Sequence, residues 1–317
     1  MIPYIVPFGF AFLLVLILVP LLRKIAFHYQ FVDLPNHRKI HQEPIPLLGG
    51  IALFISYIVS IWIWVEPLTF KASILITGSL IVGIGLLDDY YKTRKRELSP
   101  LPKILIHFVA GIILFALNIR IEGISAPFHE GMLIFTPGLS LFVTLIWIIG
   151  LMNMMNFLDG ADGLASGIAL ISSVTLFLIS LVKGQEMISM LSIIFAGVNL
   201  GFLRYNFYPA KIFMGDTGSA FLGLVLAVIS IEGTLKSATL VSIMMVILAF
   251  GVPIFDTAFV LLKRWKNHRP LHMADKTHAH HRLLKRGYTQ KQAVAFIYVV
   301  SILFSLLSAL ILFWLVY

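Results

Sequence analysis

Long apolar runs recur along the chain, separated by short polar intervals. They fall near 2–22, 47–65, 70–87, 104–121, 139–157, 163–182, 187–203, 217–231, 237–262 and 293–316. A helix needs about 20 apolar residues to cross the hydrocarbon core of a bilayer. The pattern therefore predicts ten spans, the 163–182 and 217–231 runs being the weakest because they are rich in small residues or short. The first run lacks the basic start and small-residue cleavage site of a signal peptide, so it reads as a retained helix. No soluble domain, repeat or low-complexity tract interrupts the series. The predicted fold class is all-α, a polytopic transmembrane helical bundle forming one integral membrane domain over 1–317.

Composition agrees. The chain is 59% hydrophobic and only 12% charged, against roughly 25% charged in soluble domains, so lipid must solvate much of its surface. With no cysteine, disulfides, thiolate catalysis and cysteine-ligated metals are excluded. The net charge of +9 would attract nucleic acid, but its distribution has another explanation. Alternating the loops puts those near 23–46, 88–103, 158–162, 204–216 and 263–292 on one side. Of the Lys and Arg residues, only Lys71, Arg120, Lys183 and Lys236 fall on the other. The positive-inside rule makes the first side cytoplasmic and both termini extracytoplasmic. The basic balance is thus a topology signal, with no nucleic-acid partner required, and it would also draw anionic headgroups or a phosphorylated substrate.

The candidate chemistry gathers on that side. Asp88 and Asp89 close an apolar run in GLLDDYYKTRKR. On a helix, neighbours point about 100° apart, which favours unequal roles, such as one metal ligand and one base or lysine partner. The plain alternative is a solvated helix end balanced by Lys92, Arg94, Lys95 and Arg96. In NMMNFLDGADGLASG, Asn153 and Asn156 share a helix face, and Asp159 and Asp162 repeat the spacing. These four groups suit metal coordination or nucleoside recognition. A polar turn with Asp162 capping the next helix explains one Asp but neither Asn.

In YNFYPAKIFMGDTGSAFLG, Gly215 and Gly218 are expected to let a ligand approach the backbone where a helix begins. Such a start suits phosphate, and Asp216 beside it calls for a bridging divalent cation. Phe213 is placed to stack on a base or simply to pack. His278, His280 and His281 stand among Lys276, Arg282, Lys285 and Arg286, a setting better suited to phosphate than to zinc. Arg38, Lys39 and His41 precede a Pro- and Gly-rich entry to the second span. Asp256 and His107 lie in or near spans, where helix-to-helix hydrogen bonding competes with a functional role. Each motif is ambiguous singly, but together they resemble a Mg²⁺-dependent phosphoryl-transfer site beside lipid.

In order, LLGG (47–50), LDD (87–89), NMMNFLDGADGLA (153–165), NFYPAKIFMGDTGS (206–219) and DKTHAHHRLL (275–284) resemble the polyprenyl-phosphate N-acetylhexosamine-1-phosphate transferases. The resemblance implies transfer of a sugar 1-phosphate from a UDP-N-acetylhexosamine to undecaprenyl phosphate or a close relative. It releases UMP and initiates a cell-envelope glycan such as teichoic acid. It implies Mg²⁺, with Mn²⁺ as a substitute, held by Asp216 with a contribution from Asn156. Asp88 and Asp89 would activate or orient the lipid phosphate. Asn153, Asp159, Asp162 and Asn206 would contact the nucleotide, with Phe213 near the uracil. His278, His280 and His281 would serve the diphosphate, with Lys39 and Arg282 as further substrate-binding cations. The HxHH pattern favours a GlcNAc donor over UDP-MurNAc-pentapeptide, whose branch typically shows three consecutive His. Members of the GlcNAc branch commonly have an eleventh span, where ten are counted here. The bilayer and, as a candidate, a second copy of the chain complete the partners. A secondary transporter is the rival of another class, but it should place its polar groups near the midplane. A CDP-alcohol phosphotransferase lacks support because its expected Arg and downstream Asp residues are missing.

Overall fold

The computed structural model describes residues 2–35, 43–94, 96, 98–125, 132–267 and 277–316. Its helices are α1 (Ile2–His28), α2 (Gly49–Trp64), α3 (Leu68–Thr93), α4 (Pro100–Ala116), α5 (Pro137–Leu158), α6 (Leu164–Val182), α7 (Glu186–Asn206), α8 (Gly215–Ser230), α9 (Leu240–Ala249), α10 (Gly251–Lys266), α11 (Ala279–Lys285) and α12 (Gln290–Val316). A π-helical turn, Ile231–Leu235, extends α8. Seven of these are long and apolar enough to cross a membrane, while α2 and α4 are shorter apolar helices. The chain is a multi-pass helical membrane protein. Among the described residues, strands are confined to connections: an antiparallel pair β1 (Val32–Asp33) and β2 (Ile45–Pro46), and a three-stranded sheet β4 (Met132–Ile134), β3 (Gly123–Ser125), β5 (Ser237–Ala238).

Helix starts follow local chemistry. Pro100 and Pro137 open α4 and α5, where a missing N–H costs nothing. The Thr239 hydroxyl accepts from the Ser242 N–H to cap α9.

The run 237–262, predicted as one span, is not one straight helix. It is two helices, α9 and α10, bent by 83°. Pro253 has no N–H to give the Ala249 carbonyl four residues back. That carbonyl accepts instead from the Ser172 hydroxyl of α6, at 2.7 Å. Pro20 in α1 frees the Leu16 carbonyl in the same way, and the Tyr205 hydroxyl of α7 donates to it. Inside a bilayer such orphaned carbonyls must find a protein partner. Both prolines therefore fasten one helix to another.

Helix α8 is the axis of the bundle. Of its residues only Asp216 is not fully buried, and it packs against α2, α3 and α5. Small residues permit this closeness. A Cβ on Gly85 of α3 would lie 2.5 Å from the Thr217 Cα, and one on Gly50 of α2 would lie 2.4 Å from the Gly218 nitrogen. These approaches bring the ends of α2, α3 and α5 around the start of α8.

Candidate functional site

One end of the bundle carries a cleft of about 900 Å³. Its wall includes Arg23 and Phe27 of α1, the 43–47 segment, Asp89 and Lys92 of α3, the 159–162 turn, the 206–216 segment, His281 and Gln290. The ends of α1, α3, α5 and α7 and the starts of α2, α6, α8 and α12 thus share one face, as the alternation of loops predicts.

Asp88, Asp89 and Asp216 place carboxylate oxygens within 4.8 Å of one another. The three have different partners. Asp89 accepts from the Asp216 and Thr217 backbone N–H groups, at 3.0 and 3.1 Å, and from the Thr217 hydroxyl at 2.7 Å. It caps α8 from another helix, meeting both the free N–H groups and the positive dipole end. Gly215, at φ 66°, makes room: a Cβ there would lie 2.3 Å from an Asp89 oxygen. Gly218 packs against Met214 and Gly50. Gly215 also lines the cleft, whereas the expectation that Gly218 opens the backbone to a ligand is corrected, because neighbouring helices fill the space around it.

Asp88 and Asp216 face two lysines. Lys103 Nζ of α4 lies 3.0 Å from Asp88 Oδ2 and 2.6 Å from Asp216 Oδ2. Lys92 Nζ lies 2.9 Å from Asp88 Oδ2 and bonds Asp216 Oδ1. The i,i+4 spacing from Asp88 to Lys92 was visible in the sequence. Lys103, at the start of the next helix, looked like an ordinary positive-inside residue. His107, one turn further along α4, is buried with an unpartnered Nδ1.

The 153–162 residues divide. The Asn156 side chain donates to Asp216 Oδ2 at 3.5 Å and accepts from the Ser219 hydroxyl at 3.3 Å, so it belongs to the carboxylate group. Asn153 donates to the Ile149 carbonyl of its own helix. Asp159 lines the cleft, its carboxyl pushed well above the usual range by burial and by the negative Asp216 and Asp89. Asp162 accepts from the Ala210 N–H, tying the turn to the 206–216 segment. It does not cap α6, whose N-cap is Gly163 in the left-handed region. Asn206 accepts from the Gly163 N–H and the Ser166 hydroxyl and donates to the Ile212 carbonyl. It braces the cleft wall from within. Phe213 lines the cleft, and its carbonyl accepts from the Gly49 N–H.

The histidines also separate. His278 Nδ1 lies 2.8 Å from Asp256 Oδ2, and Asp256 Oδ1 accepts from the Ala279 N–H at 2.8 Å. Asp256 therefore docks α11 onto α10. His280 is 1% exposed, with both ring nitrogens unpartnered. It abuts Gly160, where a Cβ would lie 2.4 Å from Nε2. Burial, with the nearby His281 and His278, lowers its pKa to about 3. Of the three, His281 lines the cleft. Arg282 lies over the Phe259 ring, reaches Asp256, and lines a second, largely apolar groove between α10 and α12. Lys39 lies outside the described residues, as do Arg38, His41 and Lys276.

Residues 71–234 match the glycosyl transferase family 4 profile. The chain is 38% identical over 316 residues to the probable undecaprenyl-phosphate N-acetylglucosaminyl 1-phosphate transferase of Bacillus subtilis, covering 98% of this chain and 86% of that protein. It is 30% identical to the decaprenyl-phosphate N-acetylglucosaminephosphotransferase of Mycobacterium tuberculosis, over 87% of this chain and 74% of that protein. A phospho-N-acetylmuramoyl-pentapeptide-transferase of Streptococcus uberis is 34% identical over a shorter stretch, 66% of this chain and 65% of that protein.

Proposed function

The chain belongs to glycosyl transferase family 4, and from that premise we propose that it transfers GlcNAc 1-phosphate from UDP-GlcNAc to a membrane polyprenyl phosphate, releasing UMP. The observation that carries this reading is the cleft itself. Asp89, Asp216 and Lys92 line it, with Asp88 and Lys103 bonded to that group, where a diphosphate could meet a lipid phosphate at the membrane boundary. Similarity to two GlcNAc-1-phosphate transferases over 98% and 87% of this chain favours GlcNAc over a muramoyl-pentapeptide donor. The lysine- and arginine-rich loops at the same end favour a cytoplasmic site in the cell membrane.

The donor set fits a hard divalent cation. Asp216 and Asp88 offer hard carboxylate oxygens, and Asn156, whose amide NH2 bonds Asp216 while its oxygen accepts from Ser219, stands beside them. Bound there, Mg²⁺, or Mn²⁺ in its place, would supply charge neutralisation of the donor diphosphate. The chain's residues do the rest. Asp89 fixes the start of α8 and so sets where Asp216 points. Lys92 and Lys103 offer positive charge to phosphate oxygens. Phe213 and Asp159 stand on the wall where the nucleoside would lie. A lipid-phosphate oxygen attacks the β-phosphorus of UDP-GlcNAc. The bond from that phosphorus to the bridging oxygen breaks, and the oxygen leaves with UMP. The attacking phosphate is already anionic, so a single displacement suffices and the carboxylates need form no covalent intermediate.

The test is transfer of radiolabel from UDP-GlcNAc to solvent-extractable lipid by purified protein, with and without added polyprenyl phosphate and Mg²⁺. Label should enter the lipid only when both are present. Label entering lipid equally in a metal-chelated reaction would contradict the metal assignment.

A further inference from the structure

Lys92 and Lys103 do more than border the carboxylates. Both oxygens of Asp216 and Oδ2 of Asp88 are engaged by their ammonium groups. These are the oxygens that the metal reading above, on which this inference rests, would give to a divalent cation. Asp89 is the least available of the three carboxylates, because both its oxygens already accept from the start of α8. The ammonium N–H donors and a metal ion would compete for the lone pairs of these oxygens. Three carboxylates and two ammoniums are also nearly neutral together, so a dication added without rearrangement would meet two positive charges at contact range.

We propose that Lys92 and Lys103 are exchangeable counter-cations of this site. They neutralise Asp88 and Asp216 until a divalent cation arrives, yield those oxygens to it, and turn their ammonium groups to the donor's diphosphate. The geometry allows the movement. Lys92 stands on the last turn of α3 with its side chain 43% exposed and already lines the cleft. Lys103 enters from the first turn of α4, 24% exposed. Metal alone then binds weakly because it must displace ammonium, and diphosphate alone binds weakly because the lysines are engaged. Each strengthens the other, a reciprocal coupling, and the site assembles fully only when both are present.

The test measures Mn²⁺ binding to the purified full chain by electron paramagnetic resonance, and UDP binding at saturating Mn²⁺. Lys92→Met and Lys103→Met keep the aliphatic stem and remove the charge. Each should bind Mn²⁺ about tenfold tighter than the parent without nucleotide, and bind UDP about tenfold weaker. Loss of fold would weaken both together, so opposite signs report exchange. Lys263→Met is the control: it removes an exposed charge in the last turn of α10 that lines neither cleft and should move neither constant. Unchanged or weaker Mn²⁺ binding in both lysine variants overturns the proposal, and so does an equal shift in the control. Should either variant fail to fold, amine labelling of the parent decides. Lys92 should label faster with Mn²⁺ and slower again when UDP is added, and a rate indifferent to Mn²⁺ overturns the exchange. A Mn²⁺ shift without sugar transfer would fault only the choice of donor, and transfer without the shift would fault only the exchange.

Discussion

At the scale of single residues, the two adjacent aspartates have distinct work. Asp89 bonds the α8 backbone and Asp88 faces the lysines. Asp89→Asn keeps the shape but weakens charge-assisted bonds at a helix start, which typically costs about 0.5–2 kcal/mol. It should lower the melting temperature in detergent as well as turnover. Asp88→Asn should melt near the parent temperature and lose turnover alone. Equal melting temperatures for both variants would show that Asp89 is no cap. Asp216→Asn removes the charge that both lysines engage and that the proposed divalent cation would need. Activity should fall by at least about 10²-fold, the scale of losing one preorganised electrostatic group, and near-normal turnover at saturating Mg²⁺ would rule out the assignment. His280 gives a pH dependence. Its folded pKa of about 3 lies below the ordinary histidine value, so between the two the unfolded chain binds the extra proton and stability falls as pH falls. Thermal melts from pH 7 to pH 4 should show a shallower loss in His280→Leu than in the parent. An identical slope would remove His280 from the account. Asp216, Asn156 and the Asp pair were legible because acids and amides at the ends of apolar runs are costly and few. Lys103 was not, because a basic residue at a cytoplasmic helix start has a sufficient topological reason to be there.

At the scale of elements, the helices were legible because each long apolar run has one stable form in lipid. The break between α9 and α10 was not. Hydropathy averages across Pro253, and the hydroxyl of Ser172 that accommodates it lies far away in sequence. The role of MGDTGS was half legible. A helix start with an acidic residue was evident, but the group that satisfies its N–H donors comes from α3, and sequence spacing does not report contacts between distant helices. Gly215 tests the resulting joint. A Cβ there meets the Asp89 carboxylate on a backbone with positive φ, so Gly215→Ala should abolish activity and destabilise the protein. Gly83→Ala, in α3 with nothing near its Cβ, should be tolerated. Equal melting temperatures for the two variants would show that the α3–α8 joint is not tight.

At the scale of the whole molecule, alternating helices bring every motif that the sequence singled out among the described residues toward one end of the bundle. Proximity to that end was legible from charge asymmetry and loop alternation, whereas the division of labour there was not. Arg282 and His278 engage Asp256, while His281 reaches the cleft. The absence of cysteine makes topology directly measurable. A single cysteine at Thr93, beside the carboxylates, should resist a membrane-impermeant maleimide in intact cells and react in inside-out vesicles. Labelling in intact cells would invert the orientation. The central claim is the reaction itself, and its most direct measurement is UMP release by the purified protein with undecaprenyl phosphate and Mg²⁺, comparing UDP-GlcNAc with UDP-MurNAc-pentapeptide. The expected result is acceptor-dependent UMP from UDP-GlcNAc and little from the muramoyl donor. Robust UMP release from the muramoyl donor with none from UDP-GlcNAc would contradict it.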